Sequence, residues 1–340
     1  MSNKTAQQPT KPSRKHKLEW LALKGVIHYI RRGSLASTPK KIGRLTPLLQ
    51  KILRSERLWA DRNLQLIYGH ALSETEREVL VRLIFENVLL SHLEGMQIDG
   101  FQFEDHGVNH LKEAIQLGRG VIACSIHLGS WEPGLKHFAQ LAAPSPTAIV
   151  YRHANNPLSE AEFIKIRASY GVEWIRRDQP RQIIKAIQEK KLLGLMTDMN
   201  TRVDGVTAPF LGVPAQSPAG PARLALRFGA PILPLVSIRQ APGQAKFIIF
   251  PALEPQKKAK PSLEDVVALT TKINDTFTET IHQHAEQYNW LHARWRTREE
   301  GTLWKTDTPI ELMQCARPDP LAPYPEIAQR VLEQIEQRLK

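Results

Sequence analysis

From Gly118 onward, short apolar runs alternate with segments whose apolar residues recur every three to four positions. VIACSI (121–126) is short, apolar and partly β-branched, as a buried strand requires, and a helix is predicted near 131–142. TAIVY (147–151) leads to a helix near 157–169, VEWI (172–175) to one at 178–189, and LLGLMT (192–197) to a Gly/Pro-rich segment. PAGPARLALRFG (218–229) has helical spacing, PILPLVSI (231–238) and AKFIIFPAL (245–253) return to strand, and 261–287 is a further helix. Strands alternating with helices predict an α/β fold, a central and mostly parallel sheet flanked by helices.

Upstream, residues 73–98 read as one long helix with Ser73 as N-cap and Glu76 at the capping-box position. Two basic amphipathic helices precede it. Leu18, Leu21, Val26 and Ile30, with Trp20, Leu23, Ile27 and Tyr29, form a broad apolar face among Lys17, Lys24, Arg31 and Arg32. Leu48, Leu49, Ile52 and Leu53 stand among Arg44, Lys51, Arg54 and Arg57 in the second, Leu45 to Leu53. Such helices lie in a membrane interface or pack on a domain with their charges solvated, and the pattern alone permits both. Residues 1–16 are polar and expected to be disordered, and four prolines between 318 and 325 mark a linker before a short charged helix at 326–340. The expected organisation is a basic N-terminal arm (1–57), a main domain (58–300) and a C-terminal extension (301–340).

Charge sharpens that division. Residues 1–57 carry 14 Lys and Arg against Glu19 and Glu56, which equals the +12 formal charge of the whole chain. An arm of this kind suits an anionic membrane surface or nucleic acid. Nucleic acid is not expected, because no zinc-finger spacing, RNP-type motif or helix-turn-helix signature accompanies the charge. A chain of 340 residues can bury a sizeable core. No run of 18 apolar residues offers a spanning helix, and no secretory signal is visible. Two cysteines are too few for a disulfide framework, and Cys124, inside an apolar run, reads as a small core residue.

Candidate chemistry gathers where apolar runs end. His127 and Glu132 follow VIACSI in an H-x4-E pattern. Arg152, Asn155 and Asn156 follow TAIVY, Asp198 follows LLGLMT, and Arg223 and Arg227 stand four apart on a helix. In open α/β sheets chemistry is placed at the C-terminal ends of strands. A neutral imidazole there can accept a proton, and a carboxylate can fix its tautomer. Each cluster also has an ordinary reading: a satisfied core histidine, a helix-dipole glutamate, a connecting loop, a capping aspartate, a solvated helix. A catalytically silent module that holds an anionic membrane is therefore a rival from another class. A thioesterase on the same scaffold is a rival among enzymes, although no G-x-S-x-G elbow is present.

Taken in order, the clusters resemble one family. H-L-G-S-W-E, Y-R-x-x-N-N-P, G-L-x-x-D, P-F-L-G-x-P-A-x-S-P-x-G-P-A-R-L-A-L-R and Q-Y-x-W-L-H-x-R-W look like the late acyltransferases of lipid A biosynthesis. These are lauroyl and myristoyl transferases within the lysophospholipid acyltransferase superfamily. The resemblance spans roughly residues 55–298 in one collinear order. It implies that the main domain is an acyltransferase domain moving a fatty acyl chain from an acyl carrier protein or coenzyme A thioester to a hydroxyl of a lipid A precursor or related lipid. His127 is then the general base, and Glu132, which completes the family's H-x4-acid motif, and Asp198 are the two catalytic carboxylates, either of which can be the partner that orients its imidazole. Arg152, Asn155, Asn156 and Arg223 bind substrate, and Arg152 or backbone N–H groups near Gly129 hold the oxyanion. No metal or cofactor beyond the acyl donor is expected. The family commonly carries an apolar N-terminal anchor. The arm here is basic and amphipathic, so peripheral attachment to the cytoplasmic face of a bacterial inner membrane is expected, and another lysolipid, a lipoamino acid or a glycolipid is an alternative acceptor.

Overall fold

The computed structural model of the chain describes residues 12–32, 37–96, 100–298, 301–315, 329–333 and 335–336. Its centre is a seven-stranded sheet built from β1 (Gln102–His106), β2 (Val121–Ser125), β3 (Thr147–Tyr151), β4 (Glu173–Arg176), β5 (Leu192–Met196), β8 (Ile232–Ala241) and β9 (Gln244–Ile249), in the order β1-β9-β8-β2-β5-β3-β4. Every neighbouring pair is parallel except β8 and β9, which form a hairpin. β2 is buried on both faces, which is why it reads as an unbroken apolar run. Ile122 and Cys124 face one core layer and Val121 and Ala123 the other. Cys124 is wholly buried, and burial pushes its thiol pKa up, leaving it a packing group.

The expected α/β alternation is present. Helices α6 (Trp131–Ala142), α7 (Pro157–Arg167), α8 (Pro180–Gln188) and α9 (Gly220–Phe228) occupy the predicted places between strands, and α10 (Leu263–Gln283) follows β9. Chain order reverses around β2. β2 leads through α6 to β3, on one side of it, and β5 leads onward to β8 on the other. At such a reversal open α/β sheets hold their ligand crevice, which here falls at the C-terminal ends of β2 and β5.

Two parts of the fold depart from the periodicity. β1 and the helix α5 (Val108–Gln116) precede β2 unannounced, since β1 is a polar edge strand, QFEDH, with no apolar face to betray it. The Gly/Pro-rich segment is largely a hairpin, β6 (Gly205–Phe210) with β7 (Val213–Pro218), packed on α10. Pro209, Pro214 and Pro218 argue against a central strand, yet a two-stranded ribbon accommodates them. Its turn places Leu211 and Gly212 at positive φ. Leu211 tolerates this because its side chain is buried in the core.

The N-terminal helices are α1 (Arg14–Arg31), α2 (Thr38–Ile52), α3 (Arg54–Tyr68) and α4 (Glu74–Gly95). The α1 helix begins inside the segment expected to be disordered, because Ser13 caps it by accepting the His16 N–H at 3.1 Å. Ser73 and Glu76 close the predicted capping box of α4. The apolar faces of α1 and α2 divide. Val26, Ile27, Ile42 and Leu45 pack against Leu90 and Leu93 of α4, whereas Leu18 (69 % exposed), Leu21, Leu48 and Ile52 (67 %) face outward. Residues 1–11 and the proline-marked segment 318–325 lie outside the described residues. Of the predicted terminal helix, 329–333 is helical, with Val331 buried.

Candidate active site

Strand register builds the centre of the site. Ser125 of β2 is aligned with Met196 of β5, so His127 and Asp198, each two residues further on, leave the sheet side by side. The Asp198 carboxylate receives the His127 ring Nδ1 at 2.8 Å on Oδ1 and the His127 backbone N–H at 2.9 Å on Oδ2. Tyr288 is buried beside the same carboxylate, whose charge adds to burial in raising its phenol pKa. Burial alone pushes the imidazole pKa down; the charge and hydrogen bond of Asp198, with the charge of Glu132 behind them, outweigh it and hold it above the ordinary histidine value. Burial correspondingly pushes the Asp198 pKa up, and the charge and hydrogen bonds of His127 overcome that and hold it low. Only 3 % of the Asp198 side chain is exposed, against 22 % of His127, so the acid is sealed beneath an imidazole that substrate can still reach. With the Nδ1 proton on Asp198, the outer ring nitrogen, Nε2, carries the lone pair.

Glu132 takes a different place. Its Oε1 accepts from Arg167 Nη2 at 2.8 Å, and the pair is largely buried. The Arg167 guanidinium lies 4.9 Å from the centre of the Trp174 ring and 5.5 Å from that of Phe163. Glu132 therefore acts on His127 through its field, and Asp198 is the carboxylate that touches the ring.

The loop from His127 to Ser130 is held by a polar network inside the protein. Arg239, on β8, makes a two-pronged contact with Glu94 of α4 at 2.9 and 2.8 Å. The same guanidinium reaches Asn87 Oδ1 (2.7 Å), Ser91 Oγ (2.6 Å) and the Gly129 carbonyl (3.2 Å). Ser130 Oγ donates to Glu94 at 2.8 Å. Gly129 sits at φ +61°, where an added Cβ would collide with the Ser237 carbonyl, so only glycine fits.

This stitching leaves the backbone N–H groups from His127 to Ser130 unavailable to an oxyanion. His127 N donates to Asp198, Leu128 N to Ile126 O, Gly129 N to Gln287 O and Ser130 N to Ser237 O. All four are committed within the fold.

The remaining sequence-predicted residues are spread out. Arg152 is exposed just past the C-terminal end of β3, which runs parallel to β5, so it lies at the same sheet edge, 3.4 Å from Asn155 Oδ1. Asn156 caps α7 by accepting the Leu158 N–H at 3.1 Å, and its amide donates to the His16 carbonyl at 2.9 Å, tying α1 down. Arg223 is exposed on α9, and no hydrogen bond or ion pair among the described residues joins it to His127, Asp198 or Arg152. Among the described residues no group of three or more His, Cys, Asp or Glu is arranged to hold a metal.

The segment after α10 completes the site. Asn289 N donates to the His127 carbonyl at 2.9 Å, and His292 Nε2 accepts the Asn200 N–H at 2.8 Å. Arg294 is fully buried, 2.6 Å from Ser217 Oγ and stacked 4.5 Å from the Phe210 ring centre, and burial pushes its pKa down to about 10.

Residues 10–297 match the family of bacterial lipid A biosynthesis acyltransferases. The chain belongs to that family. It is 28 % identical to the lipid A biosynthesis lauroyltransferase of Escherichia coli K12 over 252 residues, covering 71 % of this chain and 79 % of that one. It is 26 % identical to the E. coli K12 lipid A biosynthesis palmitoleoyltransferase over 268 residues, 76 % and 84 % of the two chains. Against the phosphatidylinositol mannoside acyltransferase of Mycobacterium tuberculosis H37Rv it is 27 % identical over 194 residues, 56 % of this chain and 58 % of that one. The match thus spans less than two thirds of the mycobacterial relative.

Tyr288, His292 and Arg294 lie inside the motif Q-Y-x-W-L-H-x-R-W, one of those that carry the resemblance, although the pattern alone assigned them no role. Arg167, Glu94 and Arg239 were missed altogether. A faint signal existed for Glu94, a carboxylate in the last turn of a helix, where the helix dipole disfavours it, and none for Arg167, since a basic residue in the last turn of a helix is ordinary.

Proposed function

We propose that this chain is a membrane-peripheral O-acyltransferase that moves a fatty acyl group from an acyl carrier protein or coenzyme A thioester to a hydroxyl of a lipid A precursor or related lipid. The observation that carries the reading is the His127–Asp198 pair at the sheet crevice, with Nε2 of His127 left free to take a proton. In the first step the acceptor hydroxyl gives its proton to Nε2 as its oxygen bonds to the thioester carbonyl carbon, and the carbonyl π pair moves onto oxygen. In the second, the C–S bond breaks, the carbonyl re-forms, and the sulfur leaves with the proton returned by His127. Asp198 holds the ring tautomer and offsets the imidazolium formed between the steps. The Glu132–Arg167 pair adds a fixed field without consuming a proton.

The test is transfer itself. Purified protein with an acyl thioester and a lipid acceptor is expected to release thiol in step with a product heavier by one acyl chain, read by mass spectrometry. Thiol release at the same rate without acceptor would make the protein a hydrolase. Comparing a lipid A precursor with a mannosylated glycolipid acceptor separates the two substrate classes for which the relatives are named.

For attachment we propose the outward face of α1 and α2, where Leu18, Leu21, Leu48 and Ile52 stand among Arg14, Lys17, Lys40, Arg44 and Lys51. Among the described residues no helix is long and apolar enough to cross a membrane. Each basic residue near an anionic bilayer contributes ~1 kcal/mol, so a few suffice to localise the chain on the cytoplasmic face of the inner membrane. Full-length protein is expected to bind anionic vesicles strongly at low salt, less at high salt and least when the vesicles are neutral. The quadruple variant Leu18→Ser, Leu21→Ser, Leu48→Ser, Ile52→Ser is expected to lose the salt-resistant part in a flotation assay. Unchanged binding at high salt would assign attachment to another surface.

A further inference from the structure

We propose that the Nδ1–H of a neutral His292 donates the hydrogen bond that stabilises the oxyanion as the thioester carbonyl becomes tetrahedral. The proposal rests on the acyl-transfer reading and assigns a donor that the backbone N–H groups of residues 127–130, all committed, do not provide.

The argument begins with position. The segment carrying His292 is fastened to both strand exits of the crevice. On the β2 side, Gly129 N donates to Gln287 O, and Asn289 N donates to the His127 carbonyl at 2.9 Å. On the β5 side, Asn200, two residues beyond Asp198, donates its backbone N–H to His292 Nε2 at 2.8 Å. Asn63 Nδ2 donates to the His292 carbonyl at 2.8 Å, so the residue is fixed from a third direction. The ring thus stands between the two exits whose residues form the His127–Asp198 pair.

Chemistry then sets which nitrogen carries the proton. A backbone N–H only donates, so Nε2 must accept, and the proton of the neutral ring is on Nδ1. Among the described residues no group hydrogen-bonds Nδ1, and this atom is not sealed from solvent. An ordered donor with no protein acceptor, beside a general base, is what a developing oxyanion requires. The ring also stays neutral. Burial, reinforced by the positive charges of Arg294, His127 and Arg152 against the pull of Asp198, pushes its pKa down to about 4. Neutrality is useful here because His127 becomes a cation during the reaction, and a second imidazolium beside it would oppose that proton transfer. A neutral imidazole acting as an electrophilic donor has precedent in enzymes that polarise carbonyls.

The two nitrogens make the role separable from mere scaffolding. Glutamine places its amide where Nε2 stands, so His292→Gln keeps an acceptor for Asn200 and loses the donor. Asparagine places its amide where Nδ1 stands, so His292→Asn keeps a donor and loses the acceptor. In the transfer assay, with wild-type turnover measured alongside, His292→Gln is expected to lose ~10²–10³-fold in kcat with KM for both substrates little changed. His292→Asn is expected to keep activity within about tenfold of wild type, since it retains a donor at that position. The reverse order, a healthy glutamine variant and a crippled asparagine variant, would mean that the ring only braces Asn200 and would overturn the proposal. Nitrogen NMR of the intact protein supplies a reading independent of any variant. A neutral Nδ1–H tautomer from pH 6 to 8 is expected, and an Nε2–H tautomer or an imidazolium would equally overturn it. An inactive wild type would instead remove the acyl-transfer reading, which the tautomer measurement does not touch.

Discussion

His127→Ala is expected to leave a folded protein whose acyl transfer falls by ~10²–10⁴-fold, the range that general-base assistance contributes. The loss should appear in kcat, because the imidazole acts on the proton as the new C–O bond forms rather than on ground-state binding. Acidity adds a sign that can be checked. The base works only when neutral, so activity rises with pH through the His127 pKa, and that pKa stands above the ordinary histidine value because of Asp198. Asp198→Asn removes the charge that raises it. The acidic limb of the kcat/KM profile is therefore expected to move to lower pH while the plateau falls, since the imidazolium formed in the reaction loses its counter-charge. A purified, folded His127→Ala variant with near-normal transfer would remove His127 from the mechanism. An unmoved limb in Asp198→Asn would separate Asp198 from it.

The strand–helix alternation from Gly118 to residue 253 was legible because apolar runs bounded by polar turns leave little choice of element, and strand ends then marked His127 and Asp198 independently. What brings them together, the pairing of β2 with β5, is not a local property. The chain between them runs out to β3 and β4 and back, so their contact depends on strand order. The sequence left the partner of His127 open between Glu132 and Asp198, since a carboxylate five residues away and one seventy-one away are equally plausible before the crevice is known. Glu132 was visible, but its engagement with Arg167 was not, because a last-turn arginine looks like any solvated charge. The hairpin β6–β7 was hidden by its prolines, and β1 by its polarity. Each failure belongs to an element stabilised by its neighbours rather than by its own pattern.

Glu94→Ala is expected to cost the protein ~3–5 kcal/mol, because it strands the Arg239 guanidinium in the interior. Glu94 has no exposed surface and Arg239 has 8 %, so water cannot replace the lost carboxylate without opening the fold. Glu94→Gln keeps acceptor and shape while losing charge, and its cost should be intermediate; midpoints of urea unfolding order the three proteins. Stability is only part of what the pair does. Replacing a buried ion pair by apolar residues of similar size is often neutral or stabilising, so Glu94→Leu combined with Arg239→Met is expected to recover much of the loss. Activity should not recover with it. The guanidinium also holds the Gly129 carbonyl, and Glu94 holds Ser130 Oγ. The double variant removes those two side-chain anchors from the loop, and small displacements of a general base are costly because transfer demands that reacting atoms be about 3–3.5 Å apart. A stable double variant with kcat reduced by about tenfold or more is the expected pattern. One that is both stable and fully active would show that the network packs the protein and does not position its base.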